Sequence, residues 1–486
     1  MIRQRILPLL HVLGLVIVVF GLSMLLPLAV SEWTHDAARD AYDVAVLVTL
    51  GVGLLFWLMA RPYRRELKMR DGYLLVVLIW TLLPALATLP LMFYLDTSFT
   101  DAYFETMSGM TTTGATVYSG LDNLPPSINL WRHLLNWLGG MGIIVLAVAV
   151  LPLLGVGGRS MFKAETPGPM KDSKLTPRIA HTAKALWLVY AGITLACIVS
   201  LHLAGMSWFD AVCHSFAAMA LGGFSTHDAS IGFFNSVPIE VVLSVFQVIA
   251  AGNFATYFLM IRGRSLRTWL ADVEMMNMLG LLSLSILGVT AFLWWQGTYP
   301  DFLTSLRYVS FNLITIATDC GFASTDFGQW PIFAPMWMLF LSSILACSGS
   351  TGGGVKMIRT LILAKQASRE MVRLLHPNAL VPVKIGNAVI ENKVVFSVLA
   401  FVFLYFMTVA MLTFVLLITG LDFVTAFSAI IACINNAGPG LGQVGPASNY
   451  GVLTDFQTWV CTAAMLLGRL EVLALLIVLT PTFWRK

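Results

Sequence analysis

The sequence predicts an all-α polytopic membrane protein with two N-terminal helices and four membrane–pore-loop–membrane repeats around a central pseudo-fourfold pore. Three observations predict this architecture. The 486 residues are 58% hydrophobic and only 11% charged, whereas a soluble domain carries about 25% charged residues. Several apolar runs match the roughly 20 residues that a membrane-spanning helix needs. A short segment rich in glycine and hydroxyl side chains recurs four times between such runs.

The chain begins with two long apolar runs, Ile6–Val30 and Tyr42–Ala60. The basic start of the chain is typical of a signal peptide, but the apolar stretch behind it exceeds the roughly 7–15 residues of a signal-peptide core. We therefore interpret the first run as a retained helix. Residues 1–71 form the predicted two-helix segment that precedes the repeats.

The rest of the chain repeats one pattern: a long apolar helix, a short segment and a second long apolar helix. The predicted outgoing helices are Tyr73–Leu95, Ala183–Ala204, Met275–Trp295 and Val394–Thr419, and the predicted returning helices are Ile128–Leu154, Val237–Ile261, Ile332–Ala364 and Phe456–Leu479. Internal repeats of this kind indicate one structural unit used several times. The four predicted repeats span residues 72–182, 183–273, 274–390 and 391–486.

The charged residues predict the orientation in the membrane. The first loop and the segments that carry the short stretches hold three basic and fifteen acidic residues. These segments are 31–42, 96–133, 206–240, 297–330 and 420–456. Almost all other Lys and Arg residues fall at the opposite face, and basic loops stay in the cytoplasm. Both termini are therefore predicted to be cytoplasmic, and the acidic outer face is expected to concentrate cations.

Each short segment combines about 10–12 helix-compatible residues with a glycine between small or hydroxyl side chains. The alignable glycines are Gly114, Gly223, Gly321 and Gly438, separated by 109, 98 and 117 residues. A helix of this length reaches roughly 15–18 Å, about half of the hydrocarbon core. Each segment must therefore be re-entrant, and irregular backbone at that depth is tolerated where it is buried or lines water.

Four re-entrant segments can converge on one axis and direct their carbonyl groups at a common channel, as selectivity filters do. The alternative is that the glycines only allow close helix packing, as glycine often does in membranes. Four alignable glycines at near-regular spacing favour the channel. Its predicted cation ligands are Thr112, Thr113, Gly114, Leu221, Gly222, Gly223, Asp319, Cys320, Gly321, Asn436, Ala437 and Gly438.

Several motifs resemble the Trk/Ktr/HKT superfamily of cation transporters. TTTGAT at 111–116, ALGGFSTHD at 220–228 and NNAGPGLG at 435–442 are similar to pore loops of that superfamily. The stretches at 135–152, 177–187, 349–359 and 468–485 resemble the membrane subunit of bacterial Trk potassium uptake systems, and the resemblance covers nearly the whole chain. It implies four membrane–pore–membrane units, K⁺ as the transported ion, a homodimer, and a cytoplasmic nucleotide-binding ring (TrkA) as regulator.

The resemblance also carries a rule for ion preference. In this superfamily glycine in all four loops accompanies K⁺, whereas serine in the first loop accompanies Na⁺, and all four positions are glycine here. The implied location is the inner membrane of a bacterium. The lipid bilayer surrounds the protein there, and neither an organic cofactor nor a nucleic-acid partner is implied.

The third loop departs from the family pattern, because Asp319 stands where small or hydroxyl residues are expected. Two interpretations are open. The carboxylate either points away from the pore and holds the loop through hydrogen bonds to backbone, or it lines the path and strengthens cation binding. An acid within the membrane is a functional hypothesis by default, and here we favour the structural interpretation.

The predicted returning helix of repeat 3 is interrupted by glycines, which disfavour helix. Gly352 lies 31 residues after Gly321, and Arg469 lies 31 residues after Gly438, so both are expected at similar depth below the filter. A positive charge on the axis would repel K⁺, and a loop beside it could close the pore. We predict a gate with Arg469 as partner or electrostatic barrier, and an ion pair between Arg469 and a carboxylate is the structural alternative. The loop residues of this gate are Ser348, Gly349, Ser350, Gly352, Gly353 and Gly354.

Other features have plainer interpretations. His214 and His227 are interpreted as polar residues of the pore mouth, and Gly252–Asn253 as a packing kink or a widening of the inner cavity. Basic residues between Arg159 and Lys184, together with those at 262–267 and 365–393, form a predicted inner surface. That surface could dock a regulatory ring or meet anionic lipid, although membrane topology alone also explains it.

Two other function classes were weighed against the pore. An H⁺- or Na⁺-coupled potassium symporter is the second hypothesis, but such transporters often use inverted repeats, whereas these four share one orientation. An enzyme is disfavoured, because no HExxH motif, serine–histidine arrangement or pair of intramembrane carboxylates occurs. The six cysteines form no CxxC pair, so they predict neither a disulfide framework nor a zinc site.

Overall fold

The structure, a computed structural model, describes residues 2–63, 65, 67–145, 175–386 and 388–485. Its first helix, Ile2–Ser23, continues after a break at Met24 as Leu25–Thr34, and helix Arg39–Ala60 packs along it. The two backbones approach each other closely at a pair of glycines: a Cβ added to Gly14 would lie 2.7 Å from the Gly53 carbonyl oxygen. Small residues permit such packing between membrane helices. The predicted N-terminal pair of helices is confirmed.

Four units follow, each with an outgoing helix, a shorter pore helix and a returning limb. The outgoing helices are Met69–Leu95, Leu175–Leu203, Val273–Trp295 and Asn392–Ile418. The pore helices are Phe99–Met110, Trp208–Ala220, Phe302–Ala317 and Phe423–Asn435. Most pore-helix side chains are buried, whereas the outgoing helices expose many large apolar side chains. The pore helices therefore form the core, and the outgoing helices face lipid.

The returning limbs of repeats 1 and 2 differ from each other. Repeat 1 returns through Pro126–Val145, and the predicted remainder of that helix to Leu154 lies outside the described residues. Repeat 2 returns through Val237–Ala251 and Phe254–Gly263, which meet at 94°. The kink lies at the predicted Gly252–Asn253, where the Asn253 side chain accepts a hydrogen bond from the backbone N–H of Ala255 and so starts the next helix.

Repeat 4 contains a break that the sequence analysis missed. Its returning limb is not one helix, as predicted, but Asp455–Arg469 and Leu473–Leu479, which meet at 110°. Glu471 and Val472 have φ angles of 52° and 53° between the two helices. Left-handed backbone at two consecutive residues cannot continue a right-handed helix, so the limb turns directly after Arg469.

Among the described residues, the returning limb of repeat 3 has the longest interruption. Helix Phe333–Ser342 ends before the predicted break, and helix Met357–Leu375 begins after it. The non-helical segment therefore covers residues 343–356, more than the predicted Ser348–Gly354. Positive φ angles at Gly349, Gly354 and Lys356 keep this backbone out of a helix. We call residues 343–356 the repeat-3 loop.

Among the described residues, six helices are long and apolar enough to cross a membrane, and two bent helix pairs raise the number to eight. The chain is a multi-pass membrane protein. A short antiparallel hairpin, Lys384–Ile385 with Ala388–Val389, lies between helix Met357–Leu375 and the outgoing helix of repeat 4, and a final helix spans Pro481–Trp484. The first part of the predicted basic stretch between Arg159 and Lys184, with Lys163, Lys171 and Lys174, lies outside the described residues.

Contact between the returning helix and pore helix of repeat 4 gives a stability prediction. A Cβ on Gly468 would collide with the backbone carbonyl oxygen of Ile434, and no side-chain movement relieves that contact. Gly468→Ala should lower the free energy of unfolding by about 1–3 kcal/mol, as overpacking does. Thermal unfolding of the detergent-solubilised protein measures the effect.

Gly280→Ala is the matched control for Gly468→Ala. A Cβ on Gly280, within the outgoing helix of repeat 3, meets nothing within 4 Å, and alanine is the better helix former. We expect the control to melt at or above the wild-type temperature. Equal melting temperatures for the two variants would contradict the importance of the Gly468 contact.

Candidate functional site

The four pore helices begin at equivalent caps. Ser98 and Ser207 accept hydrogen bonds from the backbone N–H three residues later, and Asp301 and Asp422 do the same with their carboxylates. Hydrogen bonds from Thr304 and Thr425 hold the pKa of Asp301 and Asp422 below the usual value, so both caps are ionised at neutral pH. The caps Ser98, Ser207 and Asp422 each stand 16 residues before the alignable glycine of their repeat, whereas Asp301 stands 20 residues before Gly321, so the third pore helix is about one turn longer at its outer end.

Each pore helix ends in the same backbone turn. The residue before each alignable glycine donates its N–H to the carbonyl five residues earlier, and all four hydrogen bonds measure 2.8 Å. The pairs are Thr113 with Ser108, Gly222 with Ala217, Cys320 with Thr315, and Ala437 with Ala432. This closure joins the helix to the loop rigidly, so the C-terminal end of every pore helix lies next to its glycine. The partial negative charge of those ends favours a cation there.

Two positions of each loop have left-handed backbone. Two residues before the glycine, Thr112, Leu221, Asp319 and Asn436 have φ angles of 54°, 53°, 69° and 59°. The glycines have φ angles of 80°, 65°, 94° and 88° in the same order. Asp and Asn tolerate this region better than other side chains. Asp319 thus occupies a turn position that Asn436 occupies in repeat 4, which is a structural reason for its residue type.

The four glycines close a ring. A Cβ added to any of them would meet a backbone carbonyl oxygen of the next loop. The contacts pair Gly114 with the Gly222 carbonyl, Gly223 with the Cys320 carbonyl, Gly321 with the Ala437 carbonyl, and Gly438 with the Thr113 carbonyl. All four hypothetical contacts are shorter than 3.0 Å, so each loop can approach the next only because these positions lack side chains. The order 1–2–3–4–1 makes the ring continuous. We call these four glycines and the carbonyls they meet the glycine ring.

A cavity of about 80 Å³ lies on the outer side of the glycine ring. Gly114, Gly223 and Gly321 line its floor, and Arg132 and His227 are among its other lining residues. Asp122 and His227, whose side chains are 2.5 Å apart, join loops 1 and 2 at this mouth. His214 lies deeper and bonds to the Ser225 hydroxyl at 2.9 Å. His227 therefore lies at the mouth, as interpreted from the sequence, whereas His214 is buried in pore helix 2 and holds loop 2 from behind the cavity lining.

The side chain of Asp319 is directed to the repeat-3 loop. It is fully buried, and its Oδ2 accepts a hydrogen bond from the backbone N–H of Gly353 at 3.0 Å. Asn436, at the equivalent position of repeat 4, donates to the Thr113 hydroxyl and to the Met465 carbonyl. Both side chains thus bond to neighbouring segments.

The repeat-3 loop lies directly below the glycine ring. The Thr351 hydroxyl donates to the carbonyl of Met219 in pore helix 2, and a Cβ on Gly353 would collide with the carbonyl oxygen of Asn435 in pore helix 4. Glu274 accepts the N–H of Ser348 at 2.8 Å. The predicted gate residues are therefore brought together under the ends of the pore helices.

Arg469 reaches the same loop from repeat 4. Its Nη1 donates to the Thr351 carbonyl at 2.9 Å, and its Nη2 donates to the Gly139 carbonyl of repeat 1 at 3.0 Å. The side chain is buried, and its guanidinium carbon lies 5.4 Å from the centre of the Trp80 ring. Among the described residues Arg469 forms no ion pair, since the nearby Glu471 pairs with Arg359. The predicted proximity of Arg469 to the break is present, and the alternative of a structural ion pair is not.

Three contributors to the site were missed in the sequence. Lys356 donates to the Gly352 carbonyl at 2.7 Å and so closes the repeat-3 loop on itself. Tyr450 donates its hydroxyl to the Gly438 carbonyl at 2.9 Å. Glu105 and Arg132 form a buried ion pair behind loop 1. Only the ion pair could have been predicted from the sequence, because charged residues within apolar segments are rare unless they are paired.

Comparison with known proteins assigns the family. The TrkH family model, described as a cation transport protein, matches residues 42–297 and 300–486. The chain belongs to the TrkH family. A relative from Salmonella typhimurium, named Trk system potassium uptake protein TrkH, is 43% identical over 98% of this chain and 99% of its own length. A Halomonas elongata protein of the same name is 44% identical over the same shares.

A solved structure has the same fold as this TrkH-family chain. The crystal structure of the potassium transporter TrkH from Vibrio parahaemolyticus matches with a TM-score of 0.91 and 42% identity. The match covers 99% of this chain and all of that one. Together with the matched family model, it confirms the predicted fold class of two N-terminal helices and four pore-loop repeats around a pseudo-fourfold pore.

The glycine ring predicts the effect of one added methyl group. Gly114→Ala places a Cβ against the Gly222 carbonyl, and we expect it to reduce ⁸⁶Rb⁺ uptake at least tenfold, which corresponds to ~1.4 kcal/mol. Gly120→Ala is the control, because Gly120 has a similar φ of 74° but open space around it. Uptake into proteoliposomes measures both. Equal losses would assign the effect to backbone strain rather than to the ring.

Proposed function

We propose that this chain takes up K⁺ across the bacterial inner membrane through a channel-like path whose filter is the glycine ring. The observation that carries the proposal is the closed ring of four loops in which each glycine abuts the next loop's carbonyl. Backbone carbonyls replace the hydration shell of a permeating ion. Four glycines, with no serine in the first loop, favour K⁺ over Na⁺ by the family rule. The names of the relatives from Salmonella and Halomonas, both potassium uptake proteins, support the same ion.

The electrostatic setting supports a cation path. Four pore helices end at the ring, and helix C-termini attract positive charge. The outer segments are acidic, which raises the cation concentration at the mouth. On this proposal K⁺ enters the outer cavity, loses water against the loop carbonyls, and continues to the repeat-3 loop.

The repeat-3 loop and Arg469 supply the proposed gate. Charged side chains bind four of the loop's backbone groups: Glu274 holds Ser348, Asp319 holds Gly353, Lys356 holds Gly352 and Arg469 holds Thr351. Hydrogen bonds to charged groups contribute about 1.5–3 kcal/mol each, enough to keep a glycine-rich loop in one position. Opening requires some of these bonds to break together, and the positive charge of Arg469 opposes K⁺ while the loop stays in place.

We also propose the assembly and location that the resemblance implies. The chain forms a homodimer in the inner membrane with both termini in the cytoplasm, and a nucleotide-binding ring similar to TrkA acts on its inner face. The word "system" in the names of the relatives supports a multi-component transporter. Basic residues at the inner ends of helices, such as Arg262, Arg264 and Arg267, support a cytoplasmic inner face. We propose a transport role and no catalytic one.

Ion flux through the purified protein tests the proposed function. Proteoliposomes should accumulate ⁸⁶Rb⁺ when only a membrane potential, negative inside, is imposed. External K⁺ should compete with this uptake, and equal Na⁺ should not. Uptake that requires a pH or Na⁺ gradient would instead support the coupled symporter. Absence of uptake with a membrane potential, with a pH gradient and with a Na⁺ gradient would contradict K⁺ transport.

Substitution of Arg469 tests the gate. Arg469→Ala removes the positive charge and two hydrogen bonds, so we expect basal ⁸⁶Rb⁺ flux to rise about tenfold or more. Arg469→Lys keeps the charge but loses the planar donor pair. Low flux in the lysine variant assigns the gate to charge repulsion, and high flux assigns it to the bonds that hold Thr351. Wild-type flux in both variants would contradict a gating role.

Substitution of Asp319 separates its two interpretations. Asp319→Asn removes the charge but keeps an oxygen that can accept the Gly353 N–H, whereas Asp319→Ala removes both. We expect wild-type K⁺/Na⁺ preference in the asparagine variant and raised basal flux in the alanine variant, because Asp319 contacts the repeat-3 loop. A reduced K⁺ preference in Asp319→Asn, measured by Na⁺ competition, would instead assign the carboxylate to ion selection.

A further inference from the structure

A side chain of each pore helix braces the outer end of its own pore loop. In repeats 1 to 3 this residue stands nine positions before the ring glycine, and in repeat 4 it stands ten before. The braces are Glu105 with the N–H of Val117, His214 with the Ser225 hydroxyl, Asn312 with the Ser324 hydroxyl, and Ser428 with the N–H of Leu441, at 2.8–3.0 Å. The position is shared, but its chemistry differs, and only repeat 1 uses a carboxylate.

The carboxylate brace of repeat 1 is part of a buried ion pair. The side chains of Glu105 and Arg132 are each 1% exposed. Nε and Nη2 of Arg132 both lie 2.8 Å from Oε1 of Glu105. The Thr116 hydroxyl lies 3.0 Å from both carboxylate oxygens. Glu105 therefore holds two consecutive residues of loop 1, Thr116 and Val117, while Arg132 fixes Glu105.

Arg132 extends this brace to the second loop. Its Nη1 donates to the Ser225 carbonyl at 3.2 Å, and its guanidinium carbon lies 4.4 Å from the centre of the Phe224 ring. Thr116 and Ser225 each stand two residues after their ring glycines. One ion pair thus links equivalent positions of two adjacent loops, on the outer side of the ring.

Stability alone does not account for such a pair. Burying two charges costs several kcal/mol of desolvation per ion, and apolar residues of similar volume often hold a fold as well. Charged, directional hydrogen bonds fix the relative positions of the groups that they join. Ion selectivity, whether it comes from cavity size or from the field of the carbonyls, depends on the spacing of the loops.

We propose that Glu105 and Arg132 are positioning residues for ion selection, which set the K⁺ preference by fixing the spacing between loops 1 and 2. The proposal rests on the proposed role of the glycine ring as the filter. Without the pair, loops 1 and 2 can move toward or away from each other, and the ring accommodates the smaller Na⁺ more readily. Neither residue needs to touch the ion.

Three variants test this proposal: Glu105→Gln, Arg132→Gln and the double variant. The readout is the ratio of the Na⁺ and K⁺ concentrations that halve ⁸⁶Rb⁺ uptake, which reports preference independently of the amount of active protein. We expect each single variant to lower this ratio about tenfold. The double variant should be no worse than either single one, because residues that act as a unit are not additive.

A second ion pair of the same chain provides the matched control. Arg307 of pore helix 3 and Glu240 of the repeat 2 returning limb lie 2.7 Å apart, and among the described contacts Arg307 reaches Asn235 and Tyr308 but no pore-loop residue. The double variant Glu240→Gln and Arg307→Gln should melt at a lower temperature and keep the wild-type ion ratio. An equal loss of preference in this control would assign the effect to general destabilisation and overturn the proposal.

Thr116→Val decides the matter if the charged variants fail to fold. It keeps the shape of the side chain and removes the hydroxyl that donates to Glu105 and accepts from Arg132 and the backbone N–H of Tyr118, and we expect a smaller loss of K⁺ preference in the same direction. Folded variants with the wild-type ratio would overturn the proposal. Wild-type protein without any ⁸⁶Rb⁺ uptake is a different result, because it contradicts the proposed function itself.

Discussion

The contacts between each ring glycine and the carbonyl of the neighbouring loop constrain the centre of the molecule. A side chain at any of these four positions would collide with backbone, which cannot move aside as a flexible side chain can. Such contacts form only if all four pore helices end at the same depth, and the 2.8 Å closure at each helix end provides this. The common depth of the helix ends and the closure of the ring therefore depend on each other.

Below the ring the symmetry is lost, because the four returning limbs carry different sequences. Repeat 2 bends at Gly252–Asn253, repeat 3 opens into the loop at 343–356, and repeat 4 turns directly after Arg469. The repeat-3 loop contacts pore helices of its neighbours, and Arg469 joins it to repeat 1 through the Gly139 carbonyl. The pore loops thus resemble one another at the glycine ring, whereas the returning limbs below it differ from repeat to repeat.

The spacing of glycines in the sequence predicted the fold class and the residues of the ring. At these four positions any side chain would collide with the neighbouring loop, so glycine recurs at corresponding positions of the four repeats. The proximity of Arg469 to the glycine-rich break followed from the same counting. The boundaries of the four repeats stay predictions, and the inner basic stretch around Lys171 is not part of the described structure.

Other features of the structure correspond to no recognisable pattern in the sequence. The turn position occupied by Thr112, Leu221, Asp319 and Asn436 is shared, but four different side chains adopt it, so no motif showed it. The break after Arg469 depends on left-handed backbone at Glu471 and Val472, residue types that normally continue a helix. Glu105 and Arg132 are 27 residues apart on two helices, and their pairing follows from tertiary packing. Local sequence therefore predicted elements and glycines well, and long-range polar contacts poorly.

The position of a bound ion tests the central claim most directly. Crystals of the protein grown with Rb⁺ or Tl⁺ should show anomalous density on the axis of the glycine ring, within coordination distance of the carbonyls of Thr113, Gly222, Cys320 and Ala437. Replacing these ions with Na⁺ should remove or displace that density. Anomalous density only outside the ring, or a ring that binds no monovalent cation at saturating concentration, would contradict an ion path through the four pore loops.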